Sequence, residues 1–234
     1  ATIEGSLSLL MQCSKYMDYQ KVLEGEEKEK FRLLLEVLTP VAKSYPSEMG
    51  VLSISQGLQC LGGSGYCDDY PLEQYYRDCR IHPIHEGTTG IQAMDLLGRK
   101  VIMQNGRAFL LYITEVHDTI AAARDLKPLE KSAGALNDSL MKLQEVTRHL
   151  LAVAGQEKPE AFLADATLYL EFFGIITIAW QWLLQGIAAQ KALISGAGKK
   201  DLNFYEGKMF TLRYFFAYEL PKTLGLAERL MDDD

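Results

Sequence analysis

The chain has 234 residues, with 31 acidic and 24 basic side chains and a formal charge of −7. Hydrophobic residues make up 48% and charged residues 24%, which supports a packed globular core and excludes disordered and collagen-like classes. The acidic balance supplies no basic surface for a phosphate backbone, so no nucleic-acid partner is expected.

Hydrophobic periodicity then reads as helical from end to end. In 1–23, Ile3, Leu7, Leu10, Met11, Met17 and Val22 recur at mostly helical spacings. After Gly25, the acidic turn Glu26-Glu27-Lys28-Glu29 precedes Phe31, Leu34, Leu35 and Leu38 at three- and four-residue steps, an amphipathic helix opening with acids as its dipole prefers. Pro40 and Pro46 are expected to bend or interrupt it, with a new helix over 47–61. Gly62-Gly63-Ser64-Gly65 predicts the first loop. Pro71 suits a first helical turn, Glu73 falls within that turn, and Arg77 and Arg80 fall near its end. A break at His82-Pro83 leads to another helix, starting just after Glu86 and ending near Gln104, with Thr89 and Gln92 at capping-box spacing.

Asn105-Gly106 marks the expected boundary between a domain of residues 1–104 and one of residues 105–234. Beyond it lie four long helical patterns, about 107–126, 134–154, 160–195 and 203–231. Their short connections imply antiparallel neighbours and a four-helix bundle. No hairpin signal occurs, so the predicted class is all-α, one helical bundle followed by a second antiparallel one. The most apolar stretch, residues 174–184, is too short to span a bilayer and suits a buried helix, so no membrane span is expected. Trp180 and Trp182, with Phe172 and Phe173, read as a packed core or a subunit contact. The final Asp232-Asp233-Asp234 reads as a solvated tail. Ala1 opens directly on a helical pattern without a basic-then-apolar leader, which reads as an excised segment. Cys13, Cys60, Cys67 and Cys79 form no Cys-x-x-Cys pair and read as reduced thiols in a cytoplasmic setting.

The chemistry-bearing segment is 59–92. It joins a glycine-rich turn after a helix, two arginines, and a carboxylate at a helix entrance. Gly87 after Glu86 permits close approach of a ligand. The free N–H groups of Thr88, Thr89 and Gly90 would suit an anion or a polarised oxygen. Glu86 itself reads two ways: as a general base, if a ligand excludes water around it, or as a simple offset to the helix dipole with Gly87 as a turn residue. Arg77, Asp78 and Arg80 read as ion pairs that hold the loop before Glu86. His82-x-x-His85-Glu86 has metal-like spacing, but Pro83 interrupts any helix that would align the ligands and no further cluster supports it, so no metal is expected. No Glu-x-x-His pair exists for a di-iron bundle site.

Three motifs carry a family resemblance: Gln59-Cys-Leu-Gly-Gly-Ser-Gly-Tyr66, Asp69-Tyr-Pro-Leu-Glu-Gln-Tyr-Tyr-Arg-Asp-Cys-Arg-Ile81, and Ile84-His-Glu-Gly-Thr-Thr-Gly-Ile-Gln92. Their order and spacing resemble the C-terminal helical domain of acyl-CoA dehydrogenases. The continuation from Gln92 to Lys100 and the helices after it resemble a subfamily with a C-terminal extension, which includes 3-methylmercaptopropionyl-CoA dehydrogenases. The resemblance implies that Glu86 takes the α-proton of an acyl-CoA while hydride passes from the β-carbon to FAD. It also implies a substrate contact at Gly87 and flavin contacts at Thr88, Thr89 and Gly90. Gln59, Cys60, Leu61, Gly62 and Gly63 match the segment that touches the FAD of a neighbouring subunit, which makes the protein a homo-oligomer (dimer or tetramer). Electron-transferring flavoprotein is the implied acceptor. His85 stands where many members have tyrosine, and Gly90 where glutamine is common. Because most of the family's flavin and substrate surface comes from other domains, the chain alone is expected to be inactive and not to retain FAD. The competing reading is a helical oligomerisation or interaction module without chemistry.

Overall fold

A computed structural model describes residues 1–155, 159–196 and 198–232; among them the chain is helical and contains no strand. Helices α1 (Thr2–Val22) and α2 (Gly25–Leu61) pack along each other, with the Phe31 ring of α2 against Tyr16 and Tyr19 of α1 at centroid distances of 5.3 and 4.6 Å. α2 runs without a break through Pro40 and Pro46, where the sequence predicted an interruption and a fresh helix over 47–61. Each interior proline removes a main-chain hydrogen bond and costs about 3 kcal/mol. Tertiary burial overrides that cost: Leu33, Leu34, Val37 and Leu38 are buried before Pro40, and Val41, Ser44 and Tyr45 around the second proline.

The glycine-rich segment predicted as loop holds a single helical turn, α3 (Gly63–Tyr66). It is followed by α4 (Leu72–Cys79) and α5 (Thr89–Asp95), the latter continued by a π-helical turn over Leu96–Lys100. That helical run stops four residues short of the predicted end. Three consecutive left-handed residues, Gln104, Asn105 and Gly106 (φ 52°, 57° and 82°), then turn the chain into α6 (Arg107–Arg124). A 3-10 turn (Lys127–Leu129) opens α7 (Glu130–Ala154). The predicted 160–195 pattern divides into α8 (Pro159–Ala164) and α9 (Ala166–Ile194). The 203–231 pattern divides into α10 (Lys199–Tyr214), a π-helical turn (Phe215–Glu219) and α11 (Lys222–Leu230), with the break at Pro221. The tail expected at Asp233 and Asp234 lies outside the described residues.

α9 is the central element. It packs against α1, α2, α5, α6, α7, α10 and α11, and Phe172, Phe173, Trp180 and Trp182 on it are fully buried. Its 29 residues would suffice to cross a membrane by length and composition, but 78% of its most apolar window is buried inside the protein. Three of its polar side chains find protein partners: the Trp180 indole donates to Thr119 Oγ1 at 2.8 Å, the Trp182 indole to the Ala1 carbonyl at 3.1 Å, and Thr177 Oγ1 meets Tyr112 Oη at 3.0 Å, whereas the buried Gln181 Nε2 has no partner among the described residues. The two tryptophans are therefore core residues. One hydrophobic core runs from Leu9 on α1 through α2 and α9 to Leu230 on α11.

A ladder of charge joins α2 to the start of α6. Glu36 pairs with the buried Lys100, Glu29 accepts from Gln104 and Glu26 pairs with Arg107. Hydrogen bonds from Arg32 first, and from Gln104, hold the Glu29 carboxyl down at about 2. A depressed carboxyl stabilises the fold above its ordinary value of 4.5, and that contribution disappears as pH falls toward 2. Glu29→Gln is therefore expected to lower the melting temperature at pH 7, with the gap to the parent protein closing near pH 2. Glycine substitutions test the core. A Cβ on Gly5 would lie 2.5 Å from Ile178 Cγ2, whereas on Gly134 of α7 it would meet nothing within 4 Å. By denaturant titration, Gly5→Ala is expected to destabilise by about 1–2 kcal/mol and Gly134→Ala to stabilise by up to about 1 kcal/mol.

Candidate active site

The segment between α4 and α5 is a tied loop. Lys43 on α2 donates from Nζ to the His82 carbonyl at 2.8 Å, and the Pro83 ring is buried. The His82 and His85 amides donate to the Cys79 and Ile81 carbonyls, each at 3.0 Å, and the Thr89 amide donates to the Pro83 carbonyl at 3.2 Å. Between those anchors Glu86 and Gly87 adopt left-handed backbone, with φ of 51° and 90°. The left-handed backbone at Gly87 disfavours any side chain, and a Cβ there would also displace the movable Gln92 amide, 2.5 Å away at Nε2. The Gln92 amide itself donates to the Glu86 carbonyl at 3.4 Å.

The start of α5 corrects two expectations. The cap is Thr88, whose Oγ1 accepts from the Ile91 amide at 3.3 Å. Thr89, predicted in that role, donates its hydroxyl to the Glu48 carboxylate of α2 instead. Of the amides expected to be free, that of Thr89 is occupied by Pro83. Gly90 is half-buried, and a Cβ on it would meet nothing within 4 Å. The Glu86 side chain is exposed and has no hydrogen-bond or ion-pair partner among the described residues.

The second group of predicted residues lies at the other end of α2. Gln59, Cys60, Gly62 and Gly63 are exposed and Leu61 is half-buried. Gly62 is left-handed (φ 59°), and neither Gly62 nor Gly63 has anything within 4 Å of where a Cβ would sit. Gln59, Gly62 and Gly63 line an open groove of about 820 Å³ together with Tyr66, Tyr76 and Arg77. Arg77 pairs with Glu73 at 3.1 Å, and neither Asp78 nor Arg80 makes an ion pair among the described residues. The predicted ion pairs bracing the loop are replaced by the Lys43 bond. Glu86 does not line this groove, nor a smaller one of about 420 Å³ bordered by Thr89 and Glu48. The predicted residues thus fall at two stations, 59–63 and 86–90, which flank α4 in the sequence.

Sequence reasoning missed Lys43, Glu48, Tyr66 and Tyr76. Lys43 lies 39 positions before His82, and no local spacing signals such a pairing. Tyr66 and Tyr76 were inside the quoted motifs, but their shared groove depends on how α4 folds back. His82 and His85 have ring centroids 5.7 Å apart, and among the described residues no three metal-ligating side chains converge. Lys43→Met is expected to speed amide exchange over residues 84–89 by roughly fivefold or more, as loss of a hydrogen bond worth about 1 kcal/mol implies. Amides of α9 serve as the unchanged reference. Equal exchange in the loop would mean that Lys43 does not hold it.

Residues 1–101 match the family model described as acyl-CoA dehydrogenase, C-terminal domain, and residues 112–234 match acetyl-CoA dehydrogenase C-terminal like. The chain is 32% identical over 239 positions to 3-methylmercaptopropionyl-CoA dehydrogenase of Ruegeria pomeroyi, covering 99% of this chain and 39% of that protein. It is 29% identical over 243 positions to the broad-specificity linear acyl-CoA dehydrogenase FadE5 of Mycobacterium tuberculosis, covering 100% and 40%. The chain therefore spans about two fifths of the length of these curated relatives. In fold it is similar to Caenorhabditis elegans ACDH-11, solved in complex with C11-CoA, with a TM-score of 0.71, 23% identity and coverage of 92% of this chain and 34% of that one. It is equally similar, with a TM-score of 0.71 and 16% identity, to an acyl-CoA dehydrogenase complexed with FAD from Bacillus anthracis, over 97% and 40% of the two chains.

Proposed function

The chain belongs to the acyl-CoA dehydrogenase family, as its C-terminal helical region, and from that premise we propose that it serves an α,β-dehydrogenation of acyl-CoA thioesters to 2-enoyl-CoA. The observation that carries the reading is Glu86: an exposed carboxylate, unpartnered among the described residues, on a left-handed turn that Lys43 and Pro83 anchor. Its position in the 84–92 motif, within a chain whose two halves both match the family, supports it as the base.

In this reading Glu86 accepts the α-proton of the thioester, and the bond electrons left behind become the new double bond as hydride leaves the β-carbon. FAD, when bound, supplies the acceptor of that hydride. Gly87 lets the thioester approach the turn, and the capped start of α5 offers its positive dipole end to developing negative charge. Exposure in this chain means that the water-excluding wall around Glu86 comes from the ligand and from other protein surface. The residues present fit the cofactor. Thr88 and Gly90 would face the flavin, with Thr89 between them held inward by Glu48 and Pro83, and the Gln59–Gly63 end of α2 would meet a second subunit's FAD. The open backbone at Gly62 and Gly63 supports that assignment, as do the phenol rings of Tyr66 and Tyr76 and the Arg77 guanidinium in one groove. The same reading places residues 1–104 and 105–234 as two modules, supported by family matches that meet between residues 101 and 112. It makes the protein a cytoplasmic homo-oligomer that hands electrons to electron-transferring flavoprotein. Exposed Ile3, Leu7, Leu10 and Met11 along α1 favour a covered face there.

In the intact protein Glu86→Gln is expected to leave the visible flavin spectrum unchanged. It should also slow bleaching of that flavin by acyl-CoA by about 10²–10⁴-fold, the usual worth of a positioned base. Near-normal bleaching would place the base elsewhere. The 234-residue chain purified alone is expected to show no flavin absorbance.

A further inference from the structure

The smaller groove, about 420 Å³ between α2, the start of α5, α9 and the turn into α11, has a composition that the acyl-CoA chemistry does not use. Its volume is within the range of small-molecule sites. The floor is apolar and buried, formed by Leu170 and Ile175 (each 4% exposed) and by the Tyr45 ring. Gly174 lets that ring lie close to α9, since a Cβ there would stand 3.2 Å from Tyr45 Cδ2. Three carboxylates, Glu48, Glu171 and Glu219, face one cation, Lys222, whose Nζ is 2.6 Å from Glu219. The walls therefore carry two net negative charges.

One buried hydroxyl in these walls has no protein partner, and a second, that of Tyr45, is unpartnered at the groove's open side. Ser44 is 2% exposed and its Oγ makes no hydrogen bond. Tyr45 is 7% exposed, and its hydroxyl has no hydrogen-bond partner among the described residues. Burial, together with the negative charge of Glu219 and Glu171, pushes the Tyr45 phenol up, so it stays neutral and lies within the field of both carboxylates that wall the groove. Glu171 likewise has no partner among the described residues. The buried Ser44 hydroxyl over an apolar floor is expensive unless a ligand or water satisfies it.

We propose that this groove binds a small organic ammonium with an apolar body. The cationic head would lie between Glu171 and Glu48 over the face of Tyr45, where carboxylates and a ring face act together. The hydrocarbon part would cover Leu170 and Ile175. The same charge repels carboxylates and phosphates, so an acyl-CoA is not its occupant. Glu48 also holds Thr89, so an occupant of the groove braces the start of α5 from behind.

The test is calorimetric titration of the intact protein at pH 7 with n-hexylammonium chloride and, separately, with 1-hexanol, its neutral counterpart. Hexylammonium is expected to saturate one site and to bind at least tenfold more tightly than the alcohol. Two surface variants should move its affinity in opposite directions at unchanged melting temperature. Glu171→Gln should weaken it at least fivefold, and Lys222→Met, which frees Glu219, should strengthen it about fivefold. Bound hexylammonium should slow amide exchange at 44–52 and 88–92. Equal affinity for the two probes, absence of saturable binding, or indifference to both variants would overturn the proposal. None of these readouts depends on turnover, so they stand or fall separately from the dehydrogenase reading.

Discussion

Burial of α9 is the constraint on which the rest of this molecule rests. A helix whose Phe172, Phe173, Trp180 and Trp182 are all inside has no stable existence until the helices around it cover it. Each fully buried large side chain contributes about 1.5–3 kcal/mol relative to exposure, far more than the half-exposed ion pairs at the surface. α5 takes its position from that burial, because it rests on α9 and α2 together. The orientation of the Glu86 turn is thus inherited from a helix that begins 80 residues later in the chain.

The continuity of α2 matters for the same reason. Lys43 and Glu48 fix the loop and the start of α5, and Gln59 to Gly63 form the open end of the same rod. From Glu48 to Gln59 the helix rises about 16 Å. A hinge between those positions would let the two stations drift relative to each other. Pro40 and Pro46 lie before that span, and buried side chains around them keep the axis continuous through both. The two stations are therefore held at a fixed separation.

Much of this was legible in the sequence, and the failures share a cause. Helical spacing of apolar residues marked the helical stretches, because periodicity reports which face will be buried, but it split α2 and merged α8 with α9. Asn105-Gly106 was read as a boundary, and the left-handed turn at Gln104, Asn105 and Gly106 falls there. The Glu86-Gly87 turn was legible as a helix entrance, since glycine and threonine at that point have few other uses. What could not be read was whatever depends on the far side of a contact. Pro40 and Pro46 are breakers by local rules and become tolerable only once Leu33 to Tyr45 are packed. Thr88 and Thr89 are equivalent caps until Glu48, 41 positions away, takes the second hydroxyl. Arg77 had both Asp78 and Glu73 within reach, and helical spacing gave it Glu73.

The start of α5 lies between two electrostatically different surroundings. On the loop side, the dipole of α5 and the Thr88 cap face outward beside Glu86, a setting that favours developing negative charge once water is excluded. On the inner side, Thr89 is bound to Glu48 at the edge of a groove carrying two net negative charges, which disfavours anions. Thr89 connects the two, with its amide on the Pro83 carbonyl of the loop and its hydroxyl on the inner carboxylate. A change in the charge on Glu48, or in what lies against it, therefore acts on a residue three positions from Glu86. The coupling is short, and it passes through two hydrogen bonds of one threonine.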